Sequence, residues 1–171
     1  MPDNDKKNEV EQLIVSMAEQ LKSTITNLPK DQIVMIGIHT GGVWVAERLH
    51  SQLALELPLG TLDISFYRDD FSRIGLNPQV KPSKLPVSVD QKHIILVDDI
   101  LHTGRTIRAA MNEIFDYGRP ASIILVVLGE RSGRELPIQA NVVGKHMSLS
   151  SHEHVKLNGP QNLTLTIDKA Q

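Results

Sequence analysis

The chain has 171 residues, of which 40% are hydrophobic and 22% charged, and its net charge is −2. That length and balance fit one globular, soluble domain and exclude a disordered chain, and the charge gives no global attraction to nucleic acid. Without cysteine there is no disulfide and no thiolate metal site; no stretch approaches the ~20 apolar residues of a membrane span. The polar start, MPDNDKKNEVEQ, lacks the apolar centre of a signal peptide, so a cytoplasmic protein is expected. Asn8 to Leu28 sets Val10, Leu13, Ile14, Met17, Ala18, Leu21 and Ile25 on one helical stripe, which Pro29 helps close. Ile33 to Ile38 is an apolar strand, followed by His-Thr-Gly-Gly and a helix from about Val43 to Leu53. Thr61 to Tyr67 reads as a second strand and His93 to Val97 as a third. Ile107 to Tyr117 reads as a helix, Ser122 to Leu128 as a fourth strand and Asn141 to Val143 as a short fifth. Apolar strands separated by helices predict a parallel α/β sheet covered on both faces. The alternation LTLTI predicts a small appended strand in the tail, Val155 to Ile167.

One segment breaks the rhythm. Residues 69–92 hold Pro78, Pro82, Pro86 and Gly75 among several charges, the composition of a flexible loop. Lying between two strands, it is a candidate lid over a site, with Tyr67 and Arg68 at its root.

The stretch HIILVDDILHTGRTI, His93 to Ile107, carries the chemistry. Ligands of an open α/β sheet bind outside the carboxyl ends of its strands, and Asp98 and Asp99 stand at such an end. Gly104 lets a backbone approach a ligand closely, and the helix after it offers free N–H groups and a positive dipole end. Thr103 and Thr106 add hydroxyls. Donors first and carboxylates second suit a sugar phosphate: the loop takes the phosphate, and the carboxylates accept from ribose hydroxyls. If the sugar also carries pyrophosphate, a bound Mg²⁺ offsets the excess negative charge. A P-loop reading fails, because Val43 and Trp44 stand where the Lys and Ser or Thr of GIHTGGVW would belong. A receiver domain fails as well, since too little chain follows Asp99.

ILVDDILHTGRT resembles the phosphoribosyl pyrophosphate (PRPP) motif of type I phosphoribosyltransferases. LDISFYRDDFS, YGRPASI and GRELPI extend the likeness to the PyrR family, pyrimidine-operon attenuators with uracil phosphoribosyltransferase activity. The resemblance implies a single phosphoribosyltransferase domain over 1–171: a parallel sheet flanked by helices, with a small hood and a flexible lid loop. It implies transfer from PRPP to uracil, giving UMP and pyrophosphate with Mg²⁺. PRPP would be held by Thr40, Gly41 and Gly42 at the pyrophosphate, by Asp98 and Asp99 at the ribose, and by Thr103, Gly104, Arg105 and Thr106 at the 5-phosphate. Arg68, Asp98 and Asp99 are the implied catalytic residues, and Asp98 and Glu130 the implied metal residues, with Arg131 beside Glu130. Gly41 stands where relatives often have Arg. Purine enzymes of the superfamily carry a carboxylate where this chain has His102, so a pyrimidine is expected. Uracil is placed at His102, Gly144, Lys145, His146 and Met147, the last four through backbone groups. A homodimer or higher homo-oligomer is expected.

The alternative is an RNA-binding attenuator that senses UMP in the same pocket. The first helix offers Glu9, Glu11 and Glu19 against Lys22, and Gln139 stands where RNA-binding relatives have Arg. RNA binding is therefore expected to be weak or absent, unless Arg119, Arg134, Lys145 and Lys156 converge. His152 and His154 read as solvated tail residues.

Overall fold

Strand β1 (Ile33–Ile38) is buried at every position, and its side chains divide between two cores. Ile33 and Met35 join one cluster, while Val34, Ile36 and Ile38 join the other. The same alternation runs through β3 (His93–Leu101) and β4 (Ser122–Arg131): Ile95, Val97, Val126 and Leu128 face one way, Ile94, Leu96, Leu125 and Val127 the other. Successive strand side chains point to opposite faces, so a strand apolar at every position must be covered on both. Helices α1 (Pro2–Ile25) and α2 (Gly41–Leu53) cover the first face, and α3 (Arg105–Tyr117) covers the second. The computed structural model describes residues 2–64 and 83–169.

The sheet has five parallel strands in the order β2-β1-β3-β4-β5, with β2 at Gly60–Leu62 and β5 at Val142–Met147. Both outer strands differ from expectation, each for a reason of pairing. β2 ends at Leu62 because its partner β1 ends at Ile38, and Leu62 gives its last carbonyl to the His39 N–H at 2.9 Å. β5 runs on to Met147 because β4 also continues, pairing Gly129 with Lys145, Glu130 with His146 and Arg131 with Met147. The tail holds two strands, β6 (Glu153–Asn158) and β7 (Thr164–Lys169), as an antiparallel hairpin. Leu157 of this hairpin and the adjoining Leu163 are buried in the core beside α1 and α2.

Tyr67, Arg68 and residues 69–82 of the expected loop lie outside the described residues. Its last part, 83–92, is fastened to the domain. Thr61 and Lys84 exchange two 2.8 Å backbone hydrogen bonds, Val89 is buried, and Leu85 and Val87 lie against the α3-side core. No helix among the described residues is long and apolar enough to cross a membrane.

Candidate active site

Asp98 and Asp99 sit where β3 leaves the core. Asp98 is buried, and its Oδ1 accepts the Asp99 N–H at 2.8 Å, while Asp99 Oδ1 accepts the Ile100 N–H at 2.7 Å. A carboxylate held by the next amide keeps its rotamer. The turn after β1 comes up against both residues. A Cβ on Gly42 would stand 2.7 Å from the Val97 carbonyl oxygen and 3.0 Å from Asp98 Cα, and one on Gly41 would run into the Asp99 carboxylate. Thus the two motifs, His-Thr-Gly-Gly and Val-Asp-Asp, are neighbours only because those two positions lack side chains.

The anion seat follows directly. Gly104 takes φ +95°, a left-handed conformation natural to glycine, and α3 starts at the next residue. Thr103 Oγ1 accepts the Arg105 N–H at 3.2 Å, while the Thr106 and Ile107 amides belong to a first turn that has no intrahelical acceptors. The segment Gly133 to Ile138 supports this loop from behind. Glu135 and Leu136 each donate an N–H to the Thr103 carbonyl at 3.0 Å, and Arg105 is 3.4 Å from the Glu135 carboxylate. Arg134 donates from Nε to the His102 carbonyl at 2.9 Å, from Nη1 to the Ile138 carbonyl at 3.2 Å, and from Nη2 to Glu130 at 2.7 Å.

A cavity of about 750 Å³ joins these parts. Asp98, Asp99, His102, Thr103, Arg105 and Thr106 form one wall. Ile100, Arg131, Glu135, His154 and Val155 form the rest. The last two come from β6, so the hairpin is the hood. Buried Arg131 holds it there, donating to the Glu153 carbonyl at 2.6 Å and the Ser150 carbonyl at 3.0 Å. Sequence reasoning missed His154 and the tether made by Arg131. Neither carries a local signal, because the hairpin's place over the sheet is a tertiary property.

His102 keeps contact with solvent but is crowded by the 131–135 turn, and a Cβ on Gly133 would stand 2.9 Å from its Nε2. That partial burial, reinforced by the charge of Arg131 and then of Arg134 and His154, lowers its pKa below the ordinary 6.5 against an opposing pull from Glu135. A downward shift makes the neutral ring the predominant form at pH 7.

Several expected site residues lie elsewhere. Glu130 is drawn away from Asp98: it lines a second cavity of about 370 Å³, and its carboxylate binds Arg134 and, at 2.9 Å, His146 Nδ1. His146 and Met147 line the same cavity, which meets the first at Arg131. Gly144 faces α1, since a Cβ there would stand 2.9 Å from Met17 Sδ, and Lys145 is paired with Glu9 at 2.5 Å. Neither lines either cavity. Thr40, Gly41 and Gly42 are at the start of α2, and no group of three or more potential metal ligands occurs among the described residues.

The phosphoribosyl transferase domain family matches residues 5–155. The bifunctional protein PyrR of Nitrosococcus oceani is 58% identical over 160 residues, covering 92% of this chain and 90% of its own. That of Pseudomonas paraeruginosa is 55% identical over 154 residues, covering 90% and 91%. The chain belongs to the PyrR family. It is accordingly a phosphoribosyltransferase, a glycosyltransferase-type enzyme. Solved structures agree on the fold of this PyrR-family chain. A hypoxanthine phosphoribosyltransferase from Staphylococcus aureus superimposes with a TM-score of 0.67 at 20% identity, over 86% of this chain and 77% of its own. A purine phosphoribosyltransferase from Pyrococcus horikoshii gives 0.62 at 24% identity, over 81% and 83%. At that identity the likeness bears on architecture and not on the acceptor base.

Proposed function

We propose that this PyrR-family chain transfers the ribose 5-phosphate of PRPP to uracil, releasing pyrophosphate and UMP. The observation that carries the reading is the single cavity whose wall runs from a carboxylate pair, Asp98 and Asp99, to an anion seat, Thr103 to Thr106. The 5-phosphate would take the Thr106 and Ile107 amides and the Thr103 and Thr106 hydroxyls, with Arg105 beside it. Asp98 and Asp99 would accept from the ribose hydroxyls. Thr40, Gly41 and Gly42 would offer backbone N–H groups to the pyrophosphate.

Loss of pyrophosphate leaves positive charge on the sugar, which the two carboxylates would stabilise. Phosphoribosyltransferases of this type generally use Mg²⁺. The residues present fit that ion, because Mg²⁺ beside a phosphate ligand needs only one or two protein carboxylates and keeps its other oxygens from substrate and water. Asp98 and Asp99 would hold it, and it would offset pyrophosphate charge; Glu130, satisfied by Arg134 and His146, would not. The hood, tethered by Arg131, lines one side of the cavity and would restrict water there. The exposed Phe115 and Tyr117 on α3 supply apolar surface that a homo-oligomer would cover, which light scattering would read out.

The test is formation of UMP from uracil and PRPP with added Mg²⁺, followed by chromatography of the product. Turnover supports the reading, whereas no UMP from a folded preparation that still binds PRPP would overturn it.

A further inference from the structure

Two consecutive residues at the end of β4 stitch the hood to the sheet. Arg131 donates from Nη1 to the Glu153 carbonyl at 2.6 Å, from Nη2 to the Ser150 carbonyl at 3.0 Å and from Nε to the Ser132 carbonyl at 3.4 Å. The Ser132 hydroxyl donates to the Leu149 carbonyl at 2.8 Å and accepts the Leu149 N–H at 3.0 Å. The turn they grip closes on itself: the Glu153 carboxylate accepts the Ser150 N–H at 3.0 Å, and the Glu153 N–H meets the Ser150 carbonyl at 3.1 Å. Arg131 is buried and has no ion pair among the described residues, so these carbonyls alone satisfy its charge. A buried cation is costly when its hydrogen bonds are lost, which locks the guanidinium to the backbone it holds.

The hairpin has a second, separate fastening at its turn. Arg48 of α2 donates to the Pro160 and Gln161 carbonyls at 2.8 and 3.1 Å, and Trp44 packs so closely that a Cβ on Gly159 would stand 2.8 Å from its Cε3. Leu157 and Leu163 are buried in the core. The far end therefore keeps its place without Arg131. What the stitch alone governs is the near end, 150–155, whose His154 and Val155 line the same cavity as Asp98 and Asp99.

We infer that Arg131 and Ser132 are positioning residues that decide whether the activated sugar meets its acceptor or water. The inference rests on the phosphoribosyl transfer proposed above and adds the control of its side reaction. Pyrophosphate leaves C1′ with the bonding electron pair, and any nucleophile that reaches C1′ can form the new bond. Water forms a C1′–O bond and gives up one proton, yielding ribose 5-phosphate and pyrophosphate with no other reactant. A closed site prevents this hydrolysis, and the stitched near end is one of its walls. Arginine suits the task because its planar fork binds two carbonyls at once, whereas lysine is a single point charge on a flexible stem.

Arg131→Gln and Ser132→Ala each cut the stitch, the second at an exposed side chain. Each variant is incubated with Mg²⁺, PRPP and uracil, and ribose 5-phosphate and UMP are separated by chromatography. Ribose 5-phosphate formed per UMP should rise on the order of tenfold in Arg131→Gln and by less in Ser132→Ala, while KM for PRPP stays unchanged. Arg131→Lys keeps the charge without the fork and should resemble Arg131→Gln. Arg48→Gln, which loosens only the turn, should retain the wild-type ratio. Emission from Trp44, the chain's only tryptophan, should be that of the wild type in Arg131→Gln and Ser132→Ala, a signal that general loss of the hairpin would move. An unchanged product ratio in both variants, full recovery by Arg131→Lys, or an equal rise in Arg48→Gln overturns the inference and leaves uracil transfer intact. Should Arg131→Gln not fold, Ser132→Ala decides alone. If the wild type binds PRPP but makes no UMP, the proposed reaction fails instead. Release of ribose 5-phosphate from PRPP alone, faster in the variants or not, then still judges the stitch.

Discussion

The two walls of the site are built in different ways. The wall proposed to hold PRPP is local: Asp98, Asp99, Thr103 and Thr106 lie within nine consecutive residues, and the chain delivers them to one cavity by ending a strand and starting a helix. The wall of the neighbouring cavity is assembled from the end of β4, the end of β5, and the 132–134 turn, and no short stretch contains it. One wall can be damaged residue by residue. The other fails when any of its ties is cut, because each side chain owes its place to another.

The largest effect is expected on the local wall. Replacing both Asp98 and Asp99 with Asn keeps the shape but removes two charged acceptors, each worth about 1.5–3 kcal/mol when hydrogen-bonded. PRPP affinity should fall by at least roughly a hundredfold while the protein remains folded. Calorimetry decides this, and unchanged affinity in a folded double variant would remove the carboxylates from the site.

The adjoining glycines sharpen the comparison within that wall. A methyl at Gly42 meets backbone, the Val97 carbonyl at 2.7 Å, so the fold must shift, and Gly42→Ala should cost about 1–3 kcal/mol of stability in urea melts. A methyl at Gly41 meets the Asp99 side chain instead, which can turn away. Gly41→Ala should therefore keep its melting temperature and lose PRPP affinity, on the order of tenfold. Equal behaviour of the two variants would mean that the turn and the carboxylates are not mechanically coupled.

His102 bears on the choice of base rather than on loss of activity. With neutral His102 where purine enzymes have a carboxylate, uracil should be turned over faster than hypoxanthine or guanine in matched assays. RNA binding divides along the same line. Arg134 is engaged by Glu130, His102 and Ile138, and Lys145 by Glu9, so two of the four cations that would have to converge are committed internally. A cation held by its own protein neutralises no RNA phosphate, which lowers both the affinity and its dependence on salt. Filter binding to the chain's own pyrimidine-operon leader should be weak at physiological salt with or without UMP. Tight, UMP-enhanced binding would show that the patch forms between subunits.

The difference between the walls also explains what is legible in the sequence. The parallel sheet, its covering helices and the PRPP motif are written in local periodicity and in a strand-to-helix turn, so they are read directly. β5 beyond Val143 reads Gly-Lys-His, polar residues with no strand pattern, and its extension exists only because β4 lends it hydrogen bonds. Glu130 is expected as a metal ligand only through the family resemblance, as the acidic half of a pair with Arg131. Its partners, Arg134 and His146, lie four residues on and across a strand, and only the fold decides between them and Asp98. His154 reads as tail because nothing in its neighbourhood reveals that Arg131 anchors the hairpin over the cavity.

The smallest expected effect is a pH dependence at the join of the two walls. The pKa of His102 is lowered in the folded protein by partial burial first and by Arg131, Arg134 and His154 after it, against the pull of Glu135. Well above pH 6.5 the ring is neutral in both folded and unfolded chains and contributes nothing to the pH dependence of stability. As the pH falls through 6.5 the unfolded chain takes up the proton first, so folding stability declines. The decline stops once the pH is below the folded value, where both forms are protonated. His102→Gln removes that proton uptake and keeps a polar side chain of similar reach. Urea unfolding of both proteins from pH 7.5 to 5 should therefore show the wild type losing more stability than the variant, with the difference confined to the acid side of neutrality. Parallel curves would mean that the turn carrying Arg131 and Arg134 does not press on His102, and that the two walls are joined by backbone alone.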